Sequence, residues 1–297
     1  MESPLRFGAV SIYQGEKSGK YPDGNQIVVQ GAEVRVAFDT PLVANRIGAA
    51  FDEVELVLLG HVHEDHIAGL HRVPRAAVQV HEGDLAALRS WDGLARHFGY
   101  DEHVLTPMRP RIERDFHYLP RPDATGYVHD QQWDLGGGVR VRAHHLPGHT
   151  AGHCALVVES EGLAFIGDID LSGFGPYYGD ATSNLADFRR SLAEVADIEA
   201  RIWVTSHHRG VVTDRAKFLA DLATFTARLD ERSERLIGYL RERPHTLEEL
   251  AARRMLYPAD YDSAFVPGVE RRSIGMHLDE LVAAGRVVAE GGQYALA

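Results

Sequence analysis

The sequence predicts a mixed α/β fold with a small helical domain at its C-terminal end. Three observations predict it. β-rich runs punctuated by Gly, Pro and Asp alternate with helical stretches over the first two-thirds, the pattern turns largely helical after about Asp214, and 297 residues accommodate one large domain plus an appendage. Leu5–Ile12, Gln26–Gln30, Val34–Phe38 and Glu55–Leu59 read as strands, with a helix over Leu42–Phe51 between the last two. Asp84–Phe98 has helical spacing, whereas residues 106–123, rich in Pro and Arg, are expected to form a long surface excursion. Gly138–His145, Cys154–Glu159 and Leu163–Ile166 follow as strands, then a helix over Leu185–Ile198 and a strand over Ile202–Thr205.

Past that point Lys217–Leu240 is helical in pattern, and Thr246-Leu247-Glu248-Glu249 is a capping-box signature opening a short helix. Val269–Ala284 is a third helix. Arg286–Glu290 and Gln293–Leu296, separated by Gly291-Gly292, form a terminal hairpin. Three helices and a hairpin predict a winged-helix-like unit, so the chain divides into residues 1–230 and a C-terminal domain of residues 231–297.

The composition narrows the function. Hydrophobic residues at 44%, charged residues at 25% and a mean hydropathy of -0.22 are ordinary for a soluble protein. No apolar run reaches spanning length and the start carries no secretion signal, so a cytoplasmic location with no membrane association is expected. A balance of 31 Lys+Arg against 43 Asp+Glu gives a net charge of -12, which opposes general affinity for nucleic acid. Cys154 is the single cysteine, which excludes an intramolecular disulfide and any cysteine-rich metal site; within an apolar strand it reads as a small buried hydrophobe. Metal would have to be bound by histidine and carboxylate, and the 17 histidines exceed ordinary usage.

The decisive segment is Leu58-Leu59-Gly60-His61-Val62-His63-Glu64-Asp65-His66. An apolar strand runs straight into three histidines and an aspartate. A loop at a strand end can converge such groups on one point, which a strand interior with alternating faces cannot. Imidazole suits zinc and similar divalent ions, and carboxylate oxygen adds anionic charge. A zincin reading fails because His63 and His66 are three apart, where one helical face requires four.

This His-x-His-x-Asp-His loop resembles the hallmark of the metallo-β-lactamase superfamily, and the resemblance extends over about residues 1–230. Leu146-Pro147-Gly148-His149, Phe165-Ile166-Gly167-Asp168 and Trp203-Val204-Thr205-Ser206-His207 are similar to its later motifs in order. The resemblance implies an αββα sandwich with the site at one rim of its paired sheets. It implies that His61, His63 and His149 hold one metal, Asp65, His66 and His207 the other, and Asp168 both. His207 is preferred over His208 because the motif aligns to the strand end. The resemblance also gives Asp39 a role in orienting the metal loop, against the alternative of a strand-end turn former. His153, His144 and His145 are expected to be supporting or structural groups.

The implied activity is that of a hydrolase with two Zn2+, Fe or Mn remaining possible, acting through a metal-bridging hydroxide on an ester, thioester, lactone or related small-molecule bond. Asp65 and His66 are candidates to assist proton transfer besides their ligand roles. Phosphodiester cleavage is the alternative, because such a core with a winged-helix-like tail resembles lactamase-like endoribonucleases. The tail has nine Lys+Arg and eleven Asp+Glu, and Arg271 and Arg272 read as solvated, so a lid or a homodimer contact is preferred. A non-haem iron sulfur dioxygenase is a third reading. Asp168-Ile169-Asp170 imitates a calcium loop, but its twelfth position is Gly179 and a strand precedes it. Tyr177 and Tyr178 are expected either to contact substrate or to pack.

Overall fold

The computed structural model describes residues 3–297. Seven strands form the first sheet in chain order: β1 (Leu5–Phe7), β2 (Val10–Tyr13), β3 (Gln26–Gln30), β4 (Arg35–Phe38), β5 (Leu56–Leu59), β6 (Ala77–His81) and β7 (Thr125–Tyr127). The second sheet runs β13-β12-β11-β10-β9-β8, from β8 (Gln132–Asp134), β9 (Arg140–His145), β10 (Cys154–Val158), β11 (Leu163–Phe165), β12 (Ile202–Val204) and β13 (Val211–Val212).

Strand alternation sorts the apolar residues into layers. Ile27, Val29, Val36, Phe38 and Leu58 meet Val141, Cys154, Leu156, Phe165 and Val204 between the sheets. Their neighbours Val28, Ala37, Val57 and Leu59 face outward onto helices α1 (Leu85–Arg89), α2 (Trp91–Phe98) and α3 (Glu102–Asp115), through Leu88, Leu94, Phe98 and Ile112. On the far side Ala155, Val157, Ala164 and Trp203 face α4 (Leu185–Glu194) and α5 (Arg215–Leu240), through Phe188, Leu192, Phe218 and Phe225. The result is an αββα sandwich.

The C-terminal part adds α6 (Leu247–Ala252), α7 (Val266–Ala283) and a three-stranded sheet, β14 (His245–Thr246), β16 (Gln293–Leu296) and β15 (Val287–Glu290). Leu236, Ile237 and Leu240 of α5 pack there with Leu250, Ile274, Leu278 and Val287. Residue 230 lies inside α5, which runs unbroken from the sandwich into this second core.

Four sequence expectations are corrected. Residues 106–115 of the expected excursion belong to a helix, Glu102–Asp115: Val104 is buried and Leu105, Met108 and Ile112 pack on the core, while Pro107 and Pro110 lie on the exposed face, where water reaches the freed carbonyls. Leu5–Ile12 is a hairpin, because Gly8 takes φ 55° and turns the chain between Phe7 and Val10. Leu42–Phe51 is a 3-10 turn, Leu42–Arg46, followed by a short helical turn, Ala49–Asp52. Asp84–Phe98 breaks at extended Ser90, whose side chain caps α2 by accepting from Gly93 N at 3.0 Å.

Candidate metal centre

Strands β5, β11 and β12 and the loop after β9 end at one rim, and their following residues converge. His61, His63, His149 and Asp168 form one group of potential ligands; Asp65, His66 and His207 form an adjoining one. All of these except Asp168 are buried, and Asp168 keeps a partly open side chain. His149 sits on a turn that approaches α4 so closely that a Cβ on Gly148 would collide with the Phe188 backbone.

With the rings neutral, the inward-facing nitrogens are not hydrogen-bonding partners of one another. His63 Nε2 lies 2.7 Å from Asp180 Oδ2 and His149 Nδ1 lies 2.9 Å from Tyr177 O, so these are the protonated nitrogens. In the neutral rings the others, His63 Nδ1 and His149 Nε2, carry lone pairs, yet they face each other at 3.1 Å. His61 Nε2 stands 3.2 Å from both. Three ring nitrogens at these separations match the edges, roughly 3.3 Å, of a tetrahedron around an ion with metal–nitrogen bonds of about 2.0 Å. Asp168 Oδ2 completes the group, 3.4 Å from His149 Nε2 and 4.0 Å from His61 Nε2.

The second group repeats the logic. His66 Nδ1 meets Asp39 Oδ2 at 2.7 Å and His207 Nδ1 meets Gly19 O at 2.8 Å, leaving the two Nε2 atoms 3.3 Å apart. Asp65 Oδ2 is 3.1 Å from His207 Nε2, and Asp168 Oδ1 is 3.2 Å from His66 Nε2. Asp168 thus faces both groups, with Oδ1 buried and lacking an aligned hydrogen-bond donor. The donor set fits two divalent cations.

The electrostatics point the same way. Burial pulls the His66 imidazole down, but Asp65, Asp168 and Asp39 outweigh it and hold the ring well above its usual pKa. Burial is likewise overcome at His207, raised to about 9 by Asp168 and Asp65, and at His63, raised to about 9 by Asp180. At His149 burial wins and lowers the ring to about 4. Asp168, which burial alone would raise, is held well below the usual carboxylate range by His66, His207 and His61. The cluster draws in positive charge.

Several supporting residues surround it. Asp39 takes a left-handed φ of 51° at the end of β4, from which one oxygen reaches His66 and the other accepts from Gly60 N at 2.6 Å. His153 Nδ1 bonds Leu146 O, and its Nε2 accepts from Asp168 N at 3.2 Å. His208 turns away toward Asp170, 3.7 Å distant. His145 stacks on His81, while Tyr178 is fully buried and so packs in the core. Cys154 is buried between the sheets, and burial pushes its thiol pKa up.

Sequence reasoning missed Asp84 and Asp180. Asp84 is a fully buried carboxylate that accepts from Val62 N, Thr150 Oγ1 and Gly152 N, tying the first histidine loop to the loop of His149. Asp180 accepts from His63 and from Tyr100 Oη at 2.9 Å. Neither lies in a local pattern. Only the fold brings Asp180 to His63.

Residues 33–207 match the profile of the Metallo-beta-lactamase superfamily. The chain is 25% identical over 256 residues to an atrochrysone carboxyl ACP thioesterase of Passalora fulva, covering 80% of this chain and 65% of that one. It is 28% identical over 157 residues to an atrochrysone carboxyl ACP thioesterase of Pseudocercospora fijiensis (strain CIRAD86), 52% of this chain and 44% of that one. The chain therefore spans 44% and 65% of these two curated relatives. The crystal structure of a metallo-beta-lactamase family protein from Thermus thermophilus aligns with a TM-score of 0.70 at 25% identity, covering 97% of this chain and 99% of that chain.

Proposed function

This chain belongs to the metallo-β-lactamase superfamily, and we propose that it is a dinuclear zinc hydrolase of a small-molecule acyl bond: an ester, thioester, lactone or related group. His61, His63 and His149 would hold one ion, Asp65, His66 and His207 the other, and Asp168, which faces both groups, would contribute to each. Two such ions, when bound, supply a water acidified toward neutral pH and polarise the substrate carbonyl oxygen. The chain's own groups then set geometry: Asp39, Asp180, Gly19 O and Tyr177 O fix which nitrogen of each ring is free. Asp65, between His66 and His207, and His66 itself are the candidates to assist proton transfer, and both are primarily ligands. The observation that carries the reading is the pair of ligand groups sharing Asp168. The thioesterase relatives support an acyl substrate.

A nuclease reading is less favoured by the tail. We read residues 231–297 as winged-helix-like, yet eight of its nine arginines are engaged. Arg243, Arg253, Arg271 and Arg286 pair with glutamates. Arg232, Arg235, Arg254 and Arg272 donate to backbone carbonyls. Little is left to track a phosphate backbone.

Metal analysis of protein purified without added metal, followed by assays on thioesters, lactones, phosphodiesters and a persulfide with oxygen uptake, tests the proposal. Two zinc equivalents and acyl-bond cleavage are expected, with His63→Ala folded but inactive. Salt-sensitive RNA cleavage or persulfide-dependent oxygen uptake would replace it.

A further inference from the structure

The loop from Phe174 to Asp180 has no regular secondary structure, yet nearly all of its carbonyls are taken. Tyr177 O faces the metal centre and receives His149 Nδ1. Four others turn to the C-terminal helices, and Asp180 O accepts from Ser183 N. Arg232 of α5, a buried guanidinium, donates to Phe174 O at 2.7 Å and Pro176 O at 2.6 Å. From α7, Ser273 Oγ reaches Tyr178 O at 3.3 Å, and Arg272 donates to Gly179 O, to Gly99 O at 2.7 Å and to Phe98 O at 3.2 Å. The Tyr178 ring is enclosed from the same side: its hydroxyl meets His277 Nε2 at 2.7 Å and Arg232 Nη1 at 3.0 Å. The loop ends at Asp180, which holds His63.

A buried guanidinium satisfied by carbonyls is expensive to place and strongly favours the one loop conformation that satisfies it. Both groups that orient His63 and His149, Asp180 and Tyr177 O, sit on this loop. No contact described for Arg232 or Arg272 reaches the groups that orient His66 and His207, which are Asp39 and Gly19 O.

We propose that Arg232 and Arg272 are positioning residues for the three-histidine half of the metal centre, so that the C-terminal helices set the metal affinity of that half alone. The inference rests on the dinuclear reading above and gives the tail a role distinct from a lid or a nucleic-acid module. Arg272 is accordingly corrected from a solvated residue to a clamp, while its neighbour Arg271 stays exposed and paired with Glu248.

The test is a competition titration of the full apo-protein with Zn2+ against a chromophoric chelator. Wild type is expected to take two equivalents. Arg272→Lys, which keeps the charge but loses the planar fork, and Arg232→Met should each weaken one equivalent by about 10-fold or more, the range seen when outer-shell partners of a ligand are removed. The other equivalent should keep its wild-type affinity. Arg189→Met is the control, because Arg189 also ties the sandwich to the tail, through Glu280, without touching the loop. It should leave both equivalents unchanged. In a His149→Ala background, which retains the other half, adding Arg272→Lys should change nothing further.

Wild-type zinc binding in both arginine variants would overturn the proposal. So would equal weakening in Arg189→Met, or a further loss in the His149→Ala background. Should Arg232→Met fail to fold by circular dichroism, Arg272→Lys decides. A wild-type chain that takes up no divalent ion would sink the dinuclear reading together with this one, and is distinguishable from a wild type that binds two ions with variants that match it.

Discussion

The two halves of the candidate metal centre share Asp168 but are held by different stretches of chain. His66 and His207 are braced by Asp39 at the end of β4 and by Gly19 O, both in the first forty residues. His63 and His149 are braced by one loop, Phe174–Asp180, which is held in turn by α5 and α7 and, at Asp180, by Tyr100. The first brace reaches the end of a buried strand directly, and Asp39 adopts a left-handed backbone to make it. The second acts through an irregular loop that needs side chains from elsewhere to hold its shape. Chemically similar ligand groups can therefore differ in how much of the fold their geometry depends on.

The sharpest way to break this comparison is to remove a ligand from each half. His149→Ala and His66→Ala should each retain a folded chain, lose about one equivalent of metal and lower turnover by at least about 10³-fold, as expected where both ions are needed for one displacement. Metal analysis beside kcat measures this. Loss of both equivalents from either variant would show that the halves do not bind independently. A smaller effect follows from Asp39→Ala, which should weaken one equivalent by about 10–100-fold in the His66–His207 half and spare the other. Chelator competition reads the difference.

Acid should probe the second brace. Burial, with Arg189 and Arg232 nearby, lowers His277 to about 3, so it stays neutral in the folded chain, while an unfolded chain protonates it below the ordinary histidine value of 6.5. Between those values the unfolded state binds the extra proton, so stability is full above pH 6.5 and falls as the pH drops toward 3. Urea unfolding of His277→Gln should show a flatter decline over that window than wild type. Smallest of all, Arg271→Ala should leave the urea midpoint unchanged, because its pair with Glu248 is exposed, whereas Arg272→Ala should lower it.

What was legible in the sequence follows the same division. The His61–His66 loop could be read because its ligands are local, whereas Asp39 was reached only through the resemblance, with a strand-end turn former as the equal alternative. The mixed α/β architecture followed from β-rich runs and their spacing, and its αββα layering from the resemblance that the histidine motifs carry. Asp180, Arg232 and Arg272 could not be read, since His63 and Asp180 are 117 positions apart and an arginine that donates to carbonyls looks like a surface arginine. Helix α3 was hidden by its two prolines, whose exposed positions are a property of the fold. The short strands β7 and β8 gave too few residues for alternation to register.

The route of the Arg272 contacts has a consequence for biosynthesis. A ribosome releases every candidate ligand of the sandwich before it releases α7, so the carbonyls of Phe98, Gly99 and Gly179 wait for their guanidinium until that helix is out. Bracing of the His63–His149 half then follows the synthesis of α7, and a nascent chain stalled before α7 is expected to carry its His66–His207 half braced and its His63–His149 half still slack.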